Sequence, residues 1–196
     1  MADRPVEIYT RQEVNALLKA ASSRSLTGLR TRALIVLAYR SGLRCAEALA
    51  LREQDINFDA GTIRVLRGKG AKARTVGIDP QAAAVVSSWI TAKRAAGLRS
   101  RTLFCTLDGK PMDTPNGARY VRRLMPALAA RAGIVKRVHY HGLRHTFASE
   151  LAEEGVPVHV IQAQLGHSSL ATTDVYIRHL NPQQVISAIR NRGDWA

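Results

Sequence analysis

Apolar and polar positions recur with two different periods along the chain. Thr10-Arg-Gln-Glu13 has the pattern of a capping box, and Val14, Leu17, Leu18 and Ala21 follow on one face, which predicts an amphipathic helix. A denser apolar run from Leu29 to Arg40 predicts a second helix, stopped by Gly42. A short Ala- and Leu-rich helix is expected over Cys45 to Leu51. The period then falls to two. Ile56 and Phe58 alternate, Asp59-Ala-Gly61 turns, Thr62 to Leu66 is β-branched, Gly68-Lys-Gly70 turns, and Thr75 to Ile78 is strand-like again. Pro80 opens a helix to about Ala96, and Leu103-Phe-Cys105 reads as a short extended piece before the Asp108-Gly109 turn. Helical spacing resumes over 115–132, 141–154, 157–165 and 169–179, with Pro157 suited to a first turn and Asn181-Pro182 opening a last helix. These elements predict an α+β chain, mainly α: one domain over 1–196, several helices and a small three-stranded antiparallel sheet.

Composition narrows the partners. In 196 residues, Lys and Arg number 29 against 15 Asp and Glu, a net charge of +14, while 46% of residues are hydrophobic and can fill a core. A surface this basic points to a polyanion, nucleic acid ahead of an anionic membrane. The charge is also concentrated. From Thr114 through Ser149 there is no acidic residue, yet Arg119, Arg122, Arg123, Arg131, Lys136, Arg137 and Arg144 all fall there. A solvated helix face normally mixes signs. Cys45 and Cys105 lie far apart in apolar surroundings, which suits free thiols in a reducing compartment and no metal spacing. No signal peptide precedes Tyr9 and no apolar run approaches the ~18 residues of a membrane span. The expectation is a cytoplasmic protein with no membrane partner.

Several polar residues stand out against this background. On a helix starting near His141, positions 141, 144, 145 and 148 share a face, and Leu143 and Phe147 point to the core, so His141 and Arg144 are expected to project into one cleft. His141 and His145 are one turn apart, but Gly142 stands where a zinc-binding helix would carry its Glu, so no metal site is expected. Gly68-Lys69-Gly70 lacks the upstream Gly and the Ser/Thr of a phosphate loop. With Lys72 and Arg74 beside it, Lys69 suits either a plain basic turn or a mobile cation reaching a nucleic-acid backbone. Leu165-Gly166-His167 reads as a helix end followed by an imidazole, and Tyr176 lies beside an apolar seam. Arg44 precedes a helix and suits a surface arginine, and Glu47 one turn on suits either a partner for it or a carboxylate that holds an imidazole. Taken singly, each fits an ordinary structural role.

Together they resemble a known family. Arg44 in Ser41-Gly-Leu-Arg-Cys-Ala-Glu47-Ala-Leu49, Lys69 in Arg67-Gly-Lys-Gly70, His141-Gly-Leu-Arg144-His-Thr-Phe147, Leu165-Gly-His167 and Tyr176 are similar, in order and spacing, to the tyrosine recombinase (phage integrase, Xer-like) family. The similarity runs from about Thr10 to the C-terminus. It implies a site-specific DNA recombinase that cleaves and rejoins strands without metal, ATP or other cofactor. Tyr176 would be the nucleophile that forms a 3′-phosphotyrosyl link. Arg44 and Arg144 would clamp the phosphate, Lys69 would protonate the leaving 5′ oxygen, His141 would act as base or proton relay, and His167 would bind the phosphate. Glu47 would support the site. Arg67, Lys72, Arg74, Arg119, Arg122 and Arg123 are the expected DNA contacts. The resemblance further implies double-stranded DNA as partner, a Holliday junction in a tetrameric synapse, and a nucleoid location. The helix over 181–196 would pack on a neighbouring subunit or on its own core.

One departure is visible. Larger family members carry an N-terminal core-binding domain that clamps the other side of the duplex, and only about ten residues precede the first helix here. A truncated chain and a naturally short recombinase both fit. A DNA-binding regulatory module of the same fold and a type IB topoisomerase-like relaxing enzyme are the alternatives, each separable by its reaction with nicked or supercoiled DNA.

Overall fold

Thr10 opens the first helix as expected: its hydroxyl accepts the Glu13 amide at 3.2 Å, and the Glu13 carboxylate accepts the Thr10 amide at 2.7 Å. The computed structural model describes residues 7–66 and 73–166. The expected helices over 169–179 and 181–196, together with Arg67, Lys69, Lys72, His167 and Tyr176, lie outside the described residues.

Helix α1 (Arg11–Ala20) buries Val14 and Leu17. Helix α2 (Leu26–Ser41) begins earlier than its apolar run suggests, because the Ser25 hydroxyl accepts the Gly28 amide at 3.2 Å and caps it there. From Ala33 to Leu37 it is buried on every side, so it runs through the core and not along its edge. The short α3 (Cys45–Ala50) follows, then one turn of 3-10 helix (Glu53–Asp55) and a sheet of β1 (Ile56–Asn57), β2 (Thr62–Val65) and β3 (Arg74–Gly77). The sheet order is β1-β2-β3, all antiparallel, with Ile56 opposite Ile63 and Ile63 opposite Val76. Phe58, expected to continue the first strand, lies beyond β1 and is exposed. Asn57 ends the pairing there: its side-chain oxygen accepts the Ala60 amide at 2.9 Å and starts the turn.

Helix α4 (Pro80–Ala95) is capped by Asp79, which also pairs with Arg40 at 2.8 Å and ties α4 to α2. The connection to the next helix is held from inside. Trp89 Nε1 donates to the Leu103 carbonyl, Lys93 Nζ to the Thr102 carbonyl, and Arg30 to the Cys105 carbonyl. The expected extended piece is present as a single bridge between Cys105 and Pro111. Helices α5 (Pro115–Arg131), α6 (Tyr140–Glu153) and α7 (Val158–Leu165) complete the described fold. Pro157 sits at the N-cap of α7 and not in its first turn. The chain is therefore mainly helical with one small antiparallel sheet. Helix α2 packs between α4 and α6, while α7 lies against both α6 and β3. A smaller apolar cluster of Phe147, Ala148, Ala152, Ile161 and Leu165 fixes α7 on α6. No helix among the described residues is long and apolar enough to cross a membrane.

Candidate active site

Glu47 is the centre of the arrangement. It stands in the first turn of α3, where its carboxylate accepts the Arg44 amide at 2.9 Å and so caps its own helix. The Arg44 guanidinium returns to the same carboxylate at 2.9 Å. Arg74 reaches it from β3 with both terminal nitrogens, at 2.8 and 2.9 Å, the parallel fork for which a guanidinium is suited. Arg144 approaches from α6 to 3.9 Å. Burial pushes the Glu47 carboxyl up, but the hydrogen bonds from Arg74 and the Arg44 amide more than offset this and hold it at about 2. Glu47 is therefore an anion at any physiological pH. Three guanidinium groups face this one carboxylate, so the four side chains together carry net positive charge.

The same three arginines meet the end of α7. A helix leaves its last carbonyls without internal partners, and they form the negative pole of its dipole. Here Arg74 Nε donates to the Gln164 carbonyl at 3.4 Å, Arg144 to the Leu165 carbonyl at 2.8 Å, and Arg44 to the Gly166 carbonyl at 3.1 Å. Three consecutive carbonyls thus take one arginine each. Gly166 makes the approach feasible. It ends α7 with a left-handed φ of +65°, and a Cβ there would lie 2.7 Å from Arg74 Nε. The Gln164 side chain adds a second tie, accepting the Gly77 amide at 3.0 Å and donating to the Gly77 carbonyl at 3.1 Å, so an amide group completes the open edge of β3.

Helix α6 departs from the simple two-faced helix that its spacing predicts. Leu143 and Phe147 are buried as expected, but so are Arg144 and Ala148. His141 and Arg144 remain close enough for the arginine charge to act on the imidazole, but they differ in exposure. The Arg144 side chain is only 1% exposed and donates to the Gly42 carbonyl as well as to Leu165, whereas His141 is exposed. The reason is α7, which covers this side of α6 through Phe147, Ile161 and Leu165. His141 and His145 stack edge to face at 4.2 Å. The pKa of His141 is lowered, by partial burial first and then by the positive charges of Arg144, His139 and Arg44. A neutral imidazole, able to accept a proton, is the form this setting favours. Among the described residues no three His, Cys, Asp or Glu side chains group as a metal site.

Two residues that the sequence reading missed hold the start of α6. His139 is its N-cap, with Nδ1 accepting the Gly142 amide at 2.9 Å. Tyr9 lies across the same turn. Its hydroxyl accepts the His139 amide at 3.0 Å, and a Cβ on Gly142 would meet that hydroxyl at 2.3 Å. Gly142, which breaks the zinc-helix pattern, is thus required by a tyrosine that precedes α1. No local signal marks that pairing.

Of the expected DNA contacts that are described, Arg119, Arg122 and Arg123 are exposed on α5. Arg122 is close enough to Cys45, at the start of α3, to lower its thiol pKa, although burial dominates and raises it to about 11. That thiol stays protonated and is no competing nucleophile near neutral pH. Arg74 is different. Its side chain is 14% exposed and turned inward, against the expectation that it lies on the DNA-facing surface. The signal was available: Arg74 is two residues before buried Val76 on a strand, hence on the same face.

Comparison with known proteins agrees with this architecture. The model of the phage integrase family matches residues 7–183. Tyrosine recombinase XerC of Xanthomonas campestris pv. campestris is 40% identical over 159 residues, which cover 81% of this chain and 47% of that protein. The chain thus spans about half the length of that relative. The crystal structure of XerA recombinase superposes with a TM-score of 0.77 at 30% identity, covering 100% of this chain and 68% of that one. XerH site-specific recombinase, bound to its difH substrate in a pre-cleavage complex, gives 0.77 at 25% identity over 98% of this chain and 56% of that one.

Proposed function

The chain belongs to the phage integrase family, as a Xer-like tyrosine recombinase catalytic domain, and from that premise we propose that it cleaves and rejoins DNA strands at a specific site. The observation that carries this reading is the net-positive cluster of Arg44, Arg74 and Arg144 on Glu47, set against the residues that lead directly into His167. A cluster of that charge is suited to a doubly ester-linked phosphate.

In the proposed reaction the Tyr176 phenol loses its proton to His141, directly or by relay, and its oxygen attacks a backbone phosphorus. The bond from phosphorus to the 5′ oxygen breaks, and Lys69 gives that oxygen a proton. The result is a 3′-phosphotyrosyl link and a free 5′-hydroxyl; attack by another 5′-hydroxyl reverses both steps and joins the strands. A free tyrosine is about one part in a thousand phenolate at neutral pH, so base and cations are both needed. The transition state adds charge to the non-bridging oxygens, where each preorganised donor contributes on the order of 3 kcal/mol. Arg44, with 26% of its side chain exposed, is placed to donate from the start. Arg144 would exchange a carbonyl acceptor for a phosphate oxygen, and His167 would add a donor. Arg67, Lys72, Arg119, Arg122 and Arg123 would hold the duplex. Exchange through a Holliday junction would need four protomers on two sites in the cytoplasm, on the nucleoid.

The test uses a nicked duplex selected for binding from a random-sequence pool. The wild-type chain should yield a covalent adduct that survives denaturation, and Tyr176→Phe should yield none. An adduct with Tyr176→Phe would refute the nucleophile. Firm binding with no adduct would leave a DNA-binding module, and relaxation of supercoiled plasmid without site preference would indicate a relaxing enzyme.

A further inference from the structure

We propose that Arg74 is a positioning residue of the cleavage site, which locks Glu47 and, through it, Arg44 against the end of α7, and that it does not grip DNA. This rests on the strand-transferase reading above. Four observations converge on it. The side chain is 14% exposed, whereas Arg64, one strand away and pointing outward, is 59% exposed. Both terminal nitrogens of Arg74 are committed to the two Glu47 oxygens, at 2.8 and 2.9 Å. The third nitrogen lies 3.4 Å from the Gln164 carbonyl, so every polar atom of the group faces protein. Gly166 packs on the Arg74 side chain so closely that a Cβ would sit 2.7 to 2.9 Å from its Nε, Cζ and Cδ atoms.

The consequence for Arg44 follows from the sharing of acceptors. Glu47 Oε1 takes one bond from Arg44 and one from Arg74; Oε2 takes the Arg44 amide and the second arm of Arg74. Arg74 therefore fixes the plane of the carboxylate to which Arg44 is hydrogen-bonded. Without the fork the carboxylate can rotate about its last bond, and the Arg44 guanidinium loses a fixed acceptor. A lysine supplies one point charge and cannot span both oxygens, so it would not restore the plane. Arg74 also begins β3, the strand that follows Lys69 in the chain, and Gly77 at its other end is tied to Gln164. Strand β3 and helix α7 are thus joined at both ends of the strand.

The assignment separates rate from binding. On the nicked duplex described above, the wild-type chain, Arg74→Ala and Arg74→Lys are compared for adduct formation at saturating protein. Affinity and its salt dependence are measured by fluorescence anisotropy in a Tyr176→Phe background, with thermal melting of each variant. We expect the saturated rate to fall on the order of 100-fold in both variants, the loss typical of a small misplacement of reacting groups. Affinity should change less than threefold, with the salt slope unaltered. A phosphate contact would behave oppositely: the slope would drop by about one, the saturated rate would hold, and lysine would substitute for arginine. That pattern overturns the assignment. Should Arg74→Ala fail to fold, Arg74→Lys decides, and a wild-type rate in it refutes the positioning role. Absence of any wild-type adduct would instead overturn the strand-transferase reading, and this assignment with it.

Discussion

Burial alone would push the Glu47 carboxyl above its ordinary 4.5; hydrogen bonds from Arg74 and the Arg44 amide bring it to about 2. A group whose pKa is depressed by folding contributes stability that is complete above the unfolded pKa and is lost as pH falls toward the folded one. For Glu47 the window runs from 4.5 down to about 2, and the contribution is on the order of 3 kcal/mol. Denaturant titrations across that range should therefore show a steep loss in the wild-type chain and a shallower one in Glu47→Gln. At neutral pH the same substitution should cost roughly 3–5 kcal/mol, because it leaves buried guanidinium groups facing a neutral amide. Equal stability of the two proteins at pH 7 would show that Glu47 does not organise the cluster.

At the scale of elements, α6 and α7 are held by their ends. His139 caps α6 only as a neutral ring, since protonation replaces the Nδ1 acceptor with a donor. Its pKa is lowered, by burial first and by Arg137 next. A histidine depressed in this way stabilises fully above its ordinary 6.5 and loses that contribution as pH falls below it. His139→Ala should cost about 1 kcal/mol at pH 7.5, and His139→Asn, which keeps a capping oxygen, should restore it and flatten the dependence between pH 7 and 5. Chemical denaturation at several pH values checks both. Helix α7 ends on Gly166 at φ +65°, and a side chain there is strained as well as crowded by Arg74. Gly166→Ala should lower stability by at least about 1–2 kcal/mol, and a melting curve coincident with wild type would contradict the close packing of Arg74 on the helix end.

For the whole molecule, the charge distribution would govern how DNA is met under the proposed function. With a net charge of +14 and Arg119, Arg122 and Arg123 exposed along α5, binding should rest on phosphate contacts. Each neutralised phosphate adds about −0.9 to the slope of log K against log salt, so affinity should fall steeply between low and physiological salt. Arg122→Ala should weaken binding evenly across sequences and reduce the slope by about one, as read by anisotropy. A slope near zero would mean that the basic face of α5 is not the contact surface.

Among the described residues, element types and most of their limits are set locally along the chain. Caps, turn glycines and apolar periods act between residues a few positions apart, so Thr10 with Glu13, Pro80 at the start of α4, and the strand-like runs over 62–66 and 75–78 were legible without coordinates. The motifs around Arg44, Glu47, His141 and Arg144 were legible too, because family resemblance is carried by short segments. What each side chain touches was not. Arg144 meets Gly42 across 102 positions, Arg44 meets Gly166 across 122, and Tyr9 meets His139 across 130. Those partners exist only once α7 has packed on α6 and β3. Tertiary packing therefore decided that Arg144 is buried, that Arg74 faces Glu47, and that three carbonyls at the end of α7 are part of the site. A guanidinium has several donors and no local rule for where they go; its acceptors are whatever the folded chain brings within hydrogen-bonding distance.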